Sequence, residues 1–63
     1  MEPQKFNAPF NTEIALEEKP YAEGMTLLHM RIRQRTRFTD MELDPETAAR
    51  LGALLSEWAE ANG

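Results

Sequence analysis

Between Leu28 and Arg37 the chain reads L-H-M-R-I-R-Q-R-T-R, and apolar side chains alternate with polar ones. Leu28, Met30 and Ile32 fall on one side, while His29, Arg31, Arg33, Arg35 and Arg37 fall on the other. A period of two with one apolar and one cationic side predicts a half-buried strand, running from Met25 to about Arg33. The same alternation occurs earlier, in Thr12 to Glu18, where Ile14 and Leu16 oppose Glu13, Ala15 and Glu17. Lys19 to Gly24 joins these two strands. With a fixed backbone angle at Pro20 and a permissive one at Gly24, it reads as a loop longer than a tight hairpin turn.

Beyond Ile32 the alternation changes phase, because Met41 and Leu43 are apolar at odd positions. One strand cannot keep a single face buried through such a switch, so a turn is expected within Gln34 to Arg37. A third strand then covers about Phe38 to Leu43. Its in-phase register sets Ile32 beside Thr39 and Met30 beside Met41.

At Asp44-Pro45-Glu46-Thr47 the period lengthens. Asp44 can cap free backbone N–H groups, Pro45 suits the first helical position, and Glu46 favours the positive end of the dipole. Leu51, Leu54, Leu55 and Trp58 then recur at the spacing of one helical stripe, up to Asn62-Gly63.

The predicted class is α+β: a three-stranded antiparallel β-meander packed by one C-terminal helix (βββα). Ile14, Leu16, Leu28, Met30, Ile32, Met41 and Leu43 face the helical stripe. Residues 12–63 form this single small domain. Residues 1–11 read as an irregular extended arm, since Pro3 and Pro9 disfavour regular structure and nothing alternates. Phe6 and Phe10 leave three readings for the arm: a frayed tail, packing on its own domain, or anchoring to a partner.

Size changes the picture. A chain of 63 residues buries only about 60% of the surface its unfolded form exposes, and such chains usually need added support. There is no cysteine and only one histidine, which excludes disulfides, thiolate metal sites and histidine clusters. Self-association or docking on something larger is the expected support. No apolar run approaches the roughly 20 residues of a membrane span, and Met1 to Phe10 lacks the pattern of a signal peptide. A cytoplasmic location is therefore expected.

The net charge of −4 is unevenly spread. Four arginines and no acid lie within residues 25–39, between an acidic N-terminal stretch and a more acidic C-terminal one. A cationic strand face can follow phosphates, and Phe38 and Tyr21 could serve as stacking platforms. The registers favour a different use. They set Arg31 opposite Asp40, His29 opposite Glu42, and Glu13 near Arg31 or Arg33. Cross-strand ion pairs of this kind contribute about 0.2–1 kcal/mol each and fix register. Arg35 and Arg37, at the turn, are the arginines best placed for an external anion.

His29 has no cysteine, Ser-His-Asp constellation or glycine-rich phosphate loop to work with, so pairing on the surface is its expected role. Asp40, Glu42 and Asp44 alternate like oxygen ligands, but the calcium-loop glycine is missing and Asp44 is needed as a cap. No metal and no cofactor are expected. Ala49, Gly52, Ala53 and Ser56 form a small-residue side of the helix, opposite the leucines. A glycine within a helix costs about 1 kcal/mol relative to alanine, so Gly52 suggests close approach by a second helix.

The expectation for function is a non-enzymatic protein-interaction module: a small accessory subunit or regulator bound to a larger protein, or to itself as a homodimer. Its expected determinants are Phe6, Phe10, Arg35, Arg37, Gly52 and Ala53. The alternative is nucleic-acid binding through the arginine-rich strand.

Overall fold

The residues that alternate do form strands, in a computed structural model that describes residues 1–63. The elements are β1 (Gln4–Ala8), β2 (Thr12–Ala22), β3 (Met25–Gln34), β4 (Arg37–Leu43) and α1 (Pro45–Asn62). The class is α+β, with one antiparallel sheet in the order β1-β2-β3-β4 and one C-terminal helix.

The sheet has four strands, which corrects the expected βββα meander and its irregular arm. β1 comes from the N-terminal stretch and pairs Gln4 with Leu16, Phe6 with Ile14 and Ala8 with Thr12. It was hidden because Phe6 is its only large apolar residue, and an edge strand needs a ladder on one side only. The prolines do not oppose it. Pro3 precedes the strand and Pro9 lies in the turn after it, so neither must donate to the ladder. In that turn Phe10 and Asn11 have φ of 62° and 59°. Asparagine tolerates this left-handed backbone, whereas a bulky aromatic rarely adopts it.

β2 is longer than expected and absorbs Lys19, Pro20, Tyr21 and Ala22, leaving Glu23-Gly24 as a two-residue turn. Gly24 takes φ of 75°, which glycine adopts without a steric penalty. Pro20 fits because β1 reaches only to Leu16, so β2 has no neighbour on that side at Pro20. The register between Pro20 and Ala22 shifts at Tyr21. Such an irregularity, with Glu17, Glu18 and Lys19 beside it, discourages strand addition along the bare edge.

The expected turn after β3 is found at Arg35-Thr36, where Arg35 takes φ of 59°. It pairs Ile32 with Thr39, Met30 with Met41 and Leu28 with Leu43, as the change of phase implied. One sheet face therefore carries Phe6, Ile14, Leu16, Leu28, Met30, Ile32, Met41 and Leu43. The helix begins as read, with the Asp44 side chain accepting from the Thr47 N–H at 2.9 Å and Pro45 next to the cap.

The packing of the helix departs from the expected core. Only Leu43 is buried, at 8% exposure. α1 touches β3 and β4 and no other strand. Ala48 and Leu51, in its first two turns, are half-buried; no later residue is. Eighteen residues make a helix about 27 Å long, so more than half of it extends past the sheet contact. Leu54, Leu55 and Trp58, expected in the core, are 56%, 61% and 68% exposed. The radius of gyration is 13.1 Å, against about 11 Å for a compact chain of this length. The accessible surface is 5503 Å², roughly 1,400 Å² more than a folded monomer of this mass presents.

Candidate functional site

Three surfaces follow from this fold. The first is the polar side of the sheet, where the period of two gathers the cations of β3. There Arg31 Nε donates to Asp40 Oδ1 at 2.8 Å, and His29 Nε2 lies 2.8 Å from the same oxygen. Arg33 Nε is 3.6 Å from Glu13 Oε1, and His29 Nδ1 is 3.7 Å from Glu42 Oε2. Arg31 also stands over the Phe38 ring, 5.5 Å from its centre. Donation from Arg31, followed by the His29 contact, holds the Asp40 carboxyl below the usual carboxylate range.

The expected ladder is thus in place, with Arg31 opposite Asp40, His29 opposite Glu42 and Glu13 opposite Arg33. It lies in the middle of the sheet. Each cation has an acid on a neighbouring strand, which cancels most of the field a phosphate chain would feel. Beside the ladder, an open hollow is lined by Lys5, Ala15, Glu17, Lys19, His29 and Arg31, with the small Ala15 between larger neighbours. No group of three or more His, Asp or Glu side chains is arranged to hold a metal ion.

The second surface is the end of the sheet where the β1–β2 and β3–β4 turns meet. The Arg35 N–H donates to the Asn11 carbonyl at 3.4 Å, which ties the two turns together. It places the turn that holds Phe10 next to the turn that holds Arg35, two of the residues singled out from the sequence. Phe10 stands 93% exposed, Arg35 lies in the neighbouring turn and Arg37 opens β4 on the apolar side, and neither arginine has an acidic partner within 4.0 Å. Phe6 is not part of this group. It belongs to the apolar side of β1 and is 52% exposed.

The third surface is apolar. On the apolar side of the sheet Phe6 and Met41 are exposed and Ile14, Leu16, Leu28, Met30 and Ile32 are half-buried, while Leu54, Leu55 and Trp58 of the helical stripe stand exposed beyond the two turns of α1 that meet the sheet. These three helical residues escaped notice as surface residues because periodicity marks which side of a helix is apolar and says nothing of what lies against it. The small size of the chain was the available signal. Gly52 and Ala53 sit on the opposite side of α1, also exposed, and a Cβ at Gly52 meets nothing within 4 Å. The start of α1 lies at the end of β4 remote from the Arg35-Thr36 turn, so the helical and turn residues belong to separate patches.

No helix is long and apolar enough to cross a membrane. Residues 2–61 match the model of a family described as a family of unknown function (DUF6967). No curated protein and no solved structure matches the chain.

Proposed function

The chain belongs to that family, and from the surfaces it leaves open we propose that it is a non-enzymatic interaction module, a small cytoplasmic accessory subunit or regulator that works within a larger assembly. One observation carries this reading: a folded chain of 63 residues with a single buried side chain is not a finished hydrophobic unit. Phe10, Arg35 and Arg37 supply an exposed aromatic and two guanidinium groups without acidic partners, residue types enriched at interfaces. Gly52 and Ala53 supply a smooth helical side on which a second backbone can lie closely.

The test is quantitative capture of the tagged chain from its native cells. The natural sequence is expected to retain one other protein at fixed stoichiometry, and Phe10→Ala with Arg35→Ala, or Gly52→Leu, is expected to lose it. If no other protein is retained above background and the chain does not self-associate, the reading is wrong.

The second reading, binding of single-stranded nucleic acid, is favoured by the same turn patch, since aromatic stacking and free arginines serve that purpose too. It predicts anisotropy changes with a labelled oligonucleotide that weaken steeply with salt and with Arg35→Ala or Arg37→Ala. The paired state of Arg31 and Arg33 argues against it, because those cations are already answered within the sheet.

A further inference from the structure

The apolar sheet face and the helical stripe are both unsatisfied, and each is the kind of surface that covers the other. We propose that a second copy of this chain closes them in a two-fold symmetric dimer. The Leu54, Leu55 and Trp58 stripe of each helix packs in an apolar layer shared by the two chains, together with the Phe6 and Met41 side of the sheets. This proposal rests on the interaction-module reading and names the occupant of one of its surfaces.

The area selects a copy of the chain. Each chain presents roughly 1,400 Å² more surface than a folded monomer of its mass. Removing that excess from two chains buries about 2,800 Å² in total, within the range of obligate homodimers and well above a standard transient complex. Complementarity selects it as well. A sheet with one apolar face needs a second layer, and so does a helix with an apolar stripe. One chain carries both, so a two-fold arrangement satisfies the two together and closes without leaving a further open face. The charge pattern permits the burial. On the strands, Glu18 and Arg37 are the only charged residues on the apolar side, and both lie away from Met30 and Met41 at its centre. The small-residue side of α1 and the turns that hold Phe10 and Arg35 remain outside this interface, free for the other partner.

The test is sedimentation of the whole chain, read beside the emission of Trp58, the only tryptophan. At high micromolar concentration the natural sequence is expected to sediment at twice its 7.2 kDa mass, with blue-shifted emission. Both readouts should revert to those of a monomer on dilution. Leu55→Glu is expected to sediment as a monomer with red-shifted emission, and Gly52→Leu, on the opposite side of the helix, to remain dimeric. The dilution series on the natural sequence decides the matter alone, independently of whether Leu55→Glu folds. A 7.2 kDa species with solvent-exposed Trp58 at high micromolar concentration, or an assembly larger than two, overturns the dimer. A monomer that still retains another protein in native-cell capture overturns the dimer alone; a monomer that retains nothing overturns the interaction reading as well.

Discussion

Asp40 is the residue on which the polar face turns. It accepts from Arg31 and contacts His29 through the same oxygen, and its carboxyl is held below the ordinary range by those two neighbours in that order. A carboxylate whose folded pKa is depressed adds stability above its unfolded pKa of about 4. That contribution is lost as pH falls through the lower folded value. Asp44 has the same sign, because the Thr47 side chain first, and then the Thr47 N–H, favour its charged form. The natural chain should therefore lose thermal stability on acidification from about pH 5 downwards. Asp40→Asn should be less stable than the natural chain at neutral pH, and the gap between their Tm values should narrow as the pH falls through that window. A gap of constant size across the range would show that the Asp40 charge does not carry the effect.

At the scale of elements, the parts read most directly from the sequence are those fixed by local chemistry. Asp44 and Pro45 set the start of α1, and the change of phase after Ile32 set the turn and register of β4. β1 was not legible, because one phenylalanine between two prolines has no period to detect; its partner Ile14 decides its place. Within α1, Gly52 has no neighbour that a methyl group would meet. Gly52→Ala should stabilise the chain by up to about 1 kcal/mol in chemical denaturation, the ordinary gain in helix propensity. Gly52→Leu carries a similar propensity gain, so a loss of partner binding with this variant and not with alanine would identify crowding as the cause. The outer half of α1, which no strand supports, should exchange its amide hydrogens fastest in any monomeric fraction, since an isolated helix of this length is marginal in water.

For the whole molecule, the dimensions point one way. The extents of 39 × 31 × 18 Å describe a thin sheet with a helix reaching past it. Stability that depends on a second copy must depend on concentration. Each tenfold rise in chain concentration then adds about 1.4 kcal/mol per dimer, and the midpoint of thermal unfolding should rise by several degrees. A midpoint that stays fixed over that range would mean the chain is stable by itself, with its stripe in water.

The division between sequence and tertiary structure follows from the range of the interactions involved. Alternation, capping and phase act over a few residues, so the sequence by itself determined the Thr12 to Glu18 part of β2, β3, β4, the helix limits and the ladder of arginines and carboxylates. It also marked Phe10, Arg35 and Arg37 one by one, without their proximity. Only the tertiary structure decided that residues near the start of the chain add a fourth strand, that the turn holding Phe10 is tied to Arg35 through Asn11, and that α1 leaves the sheet after two turns. An apolar period states that a surface must be covered. What covers it depends on the direction in which the chain leaves β4, and no local pattern encodes that direction.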